Sequence, residues 1–420
     1  MKHYFLGLAA NYSLGEGIAH TFTVGTRKDY ENLTKLLEKK YDGKAILCKN
    51  GRSALALALK AYFEPGDGII VNGFTCYAVY EAIKAAKLVP VFADISKDDL
   101  NFNASTLSDA LESRVSRASS RRPVVTGGAS SFAPVVANAL DTHESKASDS
   151  VHEPEATKRL ETSNSCVQIK GIIVQNTLGN PVDIKAVEKF AKEHDLAIIE
   201  DLAHCAGMKY RDGREAGTVG AATALSFGKD KSIDTISGGA LVLRNPSKHE
   251  IRAPEKLPKL SDHLRARFYP MFGAICRGLS YINLGGALMR LLVKIHWVEK
   301  SADNSLDLER KPSKFEAKLA LRQLKSLRSS KMPLRDFYLI DDRRRLLKEL
   351  KKAGFYFDGF WYERPVSPER YYNKVHFPEG KCPNATFVSE HIINLPRHYK
   401  DAKLAPARRI IKKYLIEEGK

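Results

Sequence analysis

The chain is 420 residues long, 43% hydrophobic and 28% charged, a composition that suits a globular protein of more than one domain and excludes one too polar to bury a core. Its six cysteines show no CxxC spacing, which argues against zinc, any other metal site and a disulfide framework, and for a reducing compartment. The formal charge of +18 gathers beyond residue 250, where 36 Lys+Arg stand against 19 Asp+Glu. No helix-turn-helix, RRM or zinc-finger pattern accompanies that excess, so nucleic acid is not an expected partner. It reads as solvated surface, or as a field for an anionic substrate or an acidic membrane face.

The apolar run over residues 4–10 is too short for a secretory signal, and none is expected. From residue 30 to residue 94 helical and strand-like spacing alternate. Helices are predicted over 30–41, 53–63 and 78–86, and strands over 45–48, 69–71 and 89–92. That alternation predicts a parallel sheet covered on both faces, with ligands at the C-terminal ends of its strands. Residues 116–165 are rich in Ser, Ala, Thr and charge, with few large apolar side chains. They are expected to form a disordered surface insertion.

The run Leu196-Ala-Ile-Ile-Glu200-Asp201 has the look of a buried parallel strand delivering carboxylates to its C-terminal edge. Glu200 alternates to the far face and is expected to be structural. Asp201 is costly there unless paired. A polar hairpin at residues 210–213 precedes Ser226-Phe-Gly-Lys229-Asp-Lys231, then Gly238-Gly239 and a closing apolar strand. A strand-end acid plus a lysine in a Ser/Gly-rich turn is what pyridoxal phosphate chemistry requires. The acid keeps the pyridine nitrogen protonated, and the lysine forms the imine and later moves the proton. Gly51-Arg52-Ser53, opening an Ala/Leu helix, offers backbone N–H groups and a hydroxyl to the phosphate, with Ser226 opposite.

Residues 263–298 are apolar stretches broken by Arg277, Arg290 and Lys294, so no run reaches the ~18 apolar residues a spanning helix needs. Two amphipathic helices parted near Gly285-Gly286 are predicted, packed at an interface or lying on a membrane surface. Beyond them a helix is predicted from residue 318, a long basic one over 337–350, and a last one over 405–417.

Taken in order, these pieces resemble the DegT/DnrJ/EryC1/StrS family of pyridoxal-phosphate-dependent sugar aminotransferases. The matching segments are Asn50-Gly51-Arg52-Ser53, Phe74-Thr75-Cys76-Tyr77, Gln175-Asn176-Thr177-Leu178-Gly179-Asn180-Pro181, Glu200-Asp201, Ser226 to Lys231, and Asn394-Leu395-Pro396-Arg397-His398. The resemblance implies an α/β chain of fold type I, a mostly parallel central sheet sandwiched by helices with a smaller α+β C-terminal domain. Its expected boundaries are 1–247 for the cofactor-binding domain, 248–311 for a basic amphipathic helical insertion and 312–420 for the small domain.

The resemblance further implies Lys231, rather than Lys229, as the imine-forming lysine, Asp201 on the pyridine nitrogen and His204 beside the ring hydroxyl. Gly51, Arg52, Ser53, Asn176 and Ser226 would complete the cofactor contacts. The family's ring-stacking aromatic is replaced by Cys76, so either Tyr77 stacks or a smaller group covers that face. Its Asn-x-Arg turn is replaced by Glu309-Arg310-Lys311, and Arg310 or Lys311 is the expected substitute. Together with Arg397, these are the candidate substrate-binding cations. The implied activity is transfer of an amino group from an amino acid to a keto-sugar, expected to be nucleotide-linked, in cell-surface glycan or secondary-metabolite biosynthesis. A cytoplasmic homodimer is implied, with peripheral membrane contact open. The alternative is a non-catalytic or regulatory homologue that keeps the fold.

Overall fold

Ile69-Ile70-Val71 and Ile172-Ile173-Val174 are apolar on both strand faces, so the sheet they enter must be covered on both sides. In the computed structural model, which describes residues 4–5, 12–119, 167–244, 247–282, 284–298, 305–327, 333–356, 361–397 and 401–416, it is. Seven strands form the central sheet: β1 (Lys44–Cys48), β2 (Gly68–Asn72), β3 (Val89–Ala93), β4 (Ile169–Val174), β5 (Ala197–Asp201), β6 (Ala222–Ser226) and β7 (Gly239–Leu243). Their spatial order is β1-β7-β6-β5-β4-β2-β3. Strands β2 to β6 run parallel, and β7 is antiparallel to both its neighbours. The chain is α/β, as its alternation predicts.

Register decides which side chain reaches which core. Ile173 and Ile199 pair and point to one face, where they pack with the Gly51–Tyr62 helix. Ile172 and Ile198 point to the other, against the Arg27–Tyr41, Ile184–Glu193 and Lys314–Ser326 helices. Because β4, β5 and β6 are parallel neighbours, their C-terminal ends bring Gln175, Asp201 and Ser226 to one edge.

Two expectations need correction. The basic helix predicted over 337–350 is instead a strand followed by a shorter helix. Strand β8 (Arg335–Leu339) pairs antiparallel with β9 (Ile392–Pro396), Phe337 facing Asn394, and the Arg343–Lys352 helix follows. Asp342 sets the break, since its carboxylate accepts the Arg345 N–H at 2.9 Å and caps the helix. These elements close a separate small core of Ile340, Leu346, Leu350, Phe355, Ile393 and Leu395, joined by Leu404 and Ile411 of the Asp401–Lys412 helix. That last helix was expected to start at residue 405.

The predicted amphipathic pair is present as the Leu260–Leu279 and Gly285–Lys294 helices, but Gly285 and Gly286 open the second helix rather than part the two. Gly285 lies so close to the turn before it that a Cβ would meet the Cys276 carbonyl oxygen at 2.0 Å. Among the described residues no helix is long and apolar enough to cross a membrane. Of the expected insertion, residues 116–119 finish the Ala104–Ser119 helix and 120–165 lie outside the described residues, as does His398.

Candidate active site

The alternation of β5 sends its two acids to opposite faces. Glu200, fully buried, accepts the Tyr210 hydroxyl at 2.7 Å and the N–H groups of Gly217, Val219 and Gly220 at 2.7–2.8 Å, and pairs with Arg244 at 3.1 Å. Its charge is met many times over, so its work is structural. Asp201 is also buried, yet only its Oδ1 has a partner, the Ala203 N–H at 2.9 Å. Among the described residues Oδ2 accepts nothing and no ion pair forms. Burial pushes this carboxyl upward, opposed by the Ala203 bond and the nearby Lys231 charge.

Lys231 enters from the turn after β6, where its N–H donates to the Gly228 carbonyl and the preceding Asp230 takes a left-handed φ of 60°. Its Nζ lies 3.0 Å from His204 Nε2. His204 Nδ1 accepts the Leu178 N–H at 3.2 Å, so the ring's own proton belongs on Nε2. An Nε2–H beside an amine is a hydrogen bond only if the amine is neutral. The electrostatics agree: burial holds the Lys231 amine below its ordinary range and His204 well below its own, and Arg335 lowers both further. Lys231 is thus poised as an unprotonated nucleophile.

Trp361 and Tyr362 close over this pair from the chain leading into the small core. The Trp361 ring lies 4.9 Å from the His204 ring and 4.5 Å from Lys231 Nζ, and the Tyr362 hydroxyl is 3.4 Å from His204 Nε2. Across the same indole sits Arg335 of β8, 4.7 Å from the ring centre and almost wholly buried. The sequence pattern pointed to none of these three, although two adjacent aromatics in a chain holding two tryptophans were a usable signal.

The Gly51–Tyr62 helix starts against the end of β6. A Cβ on Gly51 would meet Ser226 Cβ at 2.5 Å and its Oγ at 2.9 Å, so only glycine lets the helix N-terminus stand beside the Ser226 hydroxyl. Asn50 caps the Ser53 N–H at 2.8 Å, and the Ser53 hydroxyl accepts the Asp307 N–H at 3.0 Å.

The buried, half-partnered Asp201, the neutral lysine and this cradle fit pyridoxal phosphate: an acid for the pyridine nitrogen, an amine for the aldehyde, a helix start and hydroxyl for the phosphate. Among the described residues no cluster of His, Cys, Asp or Glu could hold a metal.

Other expected contacts lie elsewhere. Arg52 pairs with Glu81 instead of turning to the cradle. Asn176, in a left-handed conformation, is spent on Cys205, Tyr210 and the Val182 N–H. Tyr77 stacks on Tyr371 at 4.6 Å, which leaves Cys76, close enough to act electrostatically on Lys231, as the group nearest that face. Of the substrate-binding candidates, Arg310 donates to Asp307 at 2.7 Å, Lys311 lies over the Tyr30 ring, and Arg397 is paired with Asp336 on the outward face of β8. Lys229 lies over Tyr269, away from His204.

The model of the DegT/DnrJ/EryC1/StrS aminotransferase family matches residues 23–126 and 142–263, more than half the chain, and the chain belongs to that family. A pleiotropic regulatory protein of Geobacillus stearothermophilus is 27% identical over 225 residues, 52% of this chain and 46% of that one. GDP-perosamine synthase of Escherichia coli O157:H7 is 25% identical over 222 residues, 53% of this chain and 45% of its own. The chain thus spans about half the length of these two relatives. A solved Escherichia coli GDP-4-keto-6-deoxy-D-mannose-3-dehydratase with bound hydrated PLP superposes with a TM-score of 0.55 at 15% identity, over 98% of this chain and 100% of that one. At that identity the likeness shows the fold, fold type I, alone.

Proposed function

We propose that this protein is a pyridoxal-phosphate-dependent aminotransferase that moves an amino group from an amino acid to a nucleotide-linked keto-sugar, working as a homodimer. The observation that carries the reading is the neutral Lys231 amine, 3.0 Å from His204 Nε2, in one cleft with the unpaired Asp201 oxygen. When bound, the cofactor supplies an aldehyde for the amine and a ring that accepts electrons from the substrate carbon. The protein's own residues do the rest. Lys231 attacks and later carries the substrate proton. Asp201 holds a proton on the ring nitrogen. His204 keeps Lys231 oriented, and Trp361 and Tyr362 shield it from water. Ser226 and the helix start at Gly51 hold the phosphate. The sugar class is supported by the family and by the name of the GDP-perosamine relative.

The test is spectroscopic and kinetic. Purified protein given the cofactor is expected to develop a visible band that Lys231→Ala abolishes, and to exchange amino groups with a nucleotide-linked keto-sugar. A protein that takes up no cofactor under those conditions refutes the reading. A regulatory homologue is the second reading. It is favoured by the Asp307 amide on the Ser53 hydroxyl, a contact that competes for a phosphate ligand, and would show the band without amino transfer.

A further inference from the structure

Arg335 is 4% exposed, and the chain leaves its charge unmet. Its Nε donates to Asn394 Oδ1 at 2.6 Å and its Nη2 reaches the Asn394 carbonyl only at 3.5 Å, both neutral partners. Among the described residues no carboxylate lies within ion-pair distance. Other well-buried guanidinium groups are treated differently: Arg52 has Glu81 and Arg244 has Glu200. The adjacent Asp336, on the opposite face of β8, collects both Arg397 and Arg408. Burial lowers the Arg335 guanidinium to about 10, with only the more distant Asp230 opposing. A buried charge without a partner is costly, and here the cost is incurred in the cleft beside Lys231.

We propose that Arg335 is the carboxylate anchor of this cleft, binding the carboxylate of the amino-acid donor through its Nη1–Nη2 edge. The geometry suits that ligand. The Asn394 bond to Nε fixes the plane of the guanidinium and leaves the end-on edge free for two parallel N–H···O bonds. The Trp361 indole supports both cations, 4.7 Å from Arg335 and 4.5 Å from Lys231, so the two groups are within about 9 Å of each other. An α-amino acid bridges such a span with its nitrogen at Lys231 and its carboxylate at Arg335. The assignment to an amino donor rests on the aminotransferase reading; the anion site itself does not.

The experiment uses the full chain without added cofactor, with glutarate as the anionic probe and glutaramide as its uncharged match. Glutarate is expected to raise Tm and glutaramide to leave it unchanged. Arg335→Met is expected to fold with unchanged or higher Tm in buffer, because an unmet buried charge is removed, and to lose the glutarate response. Arg335→Lys keeps the charge but not the fork, and is expected to bind glutarate roughly tenfold more weakly. With cofactor present, both variants should raise the half-saturating donor concentration and leave that of the keto-sugar in place. An undiminished glutarate response in Arg335→Lys, or in folded Arg335→Met, overturns the assignment, as does a large drop in the Tm of Arg335→Met in buffer. If the protein binds no cofactor yet keeps an Arg335-dependent glutarate response, the aminotransferase reading falls and the anion site stands.

Discussion

Gly51→Ala tests the cradle most directly, because two opposed effects can be weighed from the structure. Gly51 is the first residue of its helix, where alanine is the better former by up to ~1 kcal/mol, so propensity alone predicts stabilisation. The new Cβ, however, would sit 2.5 Å from Ser226 Cβ, 2.9 Å from its Oγ and 3.0 Å from its Cα. Carbon atoms pack at about 3.5–4.0 Å, so helix or strand must retreat by about 1 Å. Both are held in the central sheet and its largest core, and overpacking of this kind costs about 1–3 kcal/mol. The clash should win by about 1–2 kcal/mol, read as a lower urea midpoint with an unchanged slope. The same retreat opens the phosphate cradle, so affinity for pyridoxal 5′-phosphate should fall while that for pyridoxal, which lacks the phosphate, barely moves. Ser226→Gly in the same background removes the clashing atoms and should recover stability but not phosphate affinity, since the hydroxyl is gone. A Gly51→Ala protein as stable as the parent, with its phosphate preference intact, refutes the close-approach argument.

Two further predictions test the acids. Asp201→Asn should lower amino transfer roughly a hundredfold or more while the Lys231-dependent band still forms, because a neutral amide cannot hold a proton on the ring nitrogen; near-normal turnover would remove Asp201 from that role. Glu316, 2% exposed in its capping box with Ser313, is pushed up to about 7 by burial against an ordinary 4.5. Its folded value lies above its unfolded one, so its stabilising contribution is complete below about 4.5 and is lost as pH rises through about 7, about 3 kcal/mol in all. Urea midpoints at pH 5 and pH 8 should therefore lie closer together in Glu316→Gln than in the parent, and an equal gap in both proteins refutes the assignment.

What was legible in the sequence was local. Strand β5 could be read because its apolar residues, its two acids and their alternation fall within six positions, and the same pattern separated Asp201 from Glu200. Lys231 could be preferred to Lys229 by resemblance, and the structure brings only Lys231 to His204. Arg335 could not be found that way. Its strand is five residues long and adjoins a strongly basic helix, so helical spacing absorbed it, and its meaning depends on Asn394 and Trp361 arriving from elsewhere. Tyr77 misled for the opposite reason: it is adjacent to the right position, but Tyr371 offers it a stacking partner that no local pattern announces.

Charge counting failed in an instructive way. The excess of base beyond residue 250 suggested that Arg310, Lys311 and Arg397 await an anionic substrate, yet Asp307 and Asp336 answer the two arginines within the fold. Exposed or answered charges contribute little, however many there are. The charges that matter are those buried without an answer, and in this cleft there are two of opposite sign, Asp201 and Arg335. They do not pair with each other, and between them stand the Lys231 amine, His204 and the Trp361 indole. Each remains costly until ligands bring a cation to the one and an anion to the other. A protonated ring nitrogen and an amino-acid carboxylate do both, with the lysine placed where the two molecules must join. An empty cleft should accordingly be the least stable state of this protein. Cofactor and glutarate together should raise Tm by about the sum of their separate effects, because each answers a different charge. A combined shift no larger than the better single one would mean that the two ligands compete for one site.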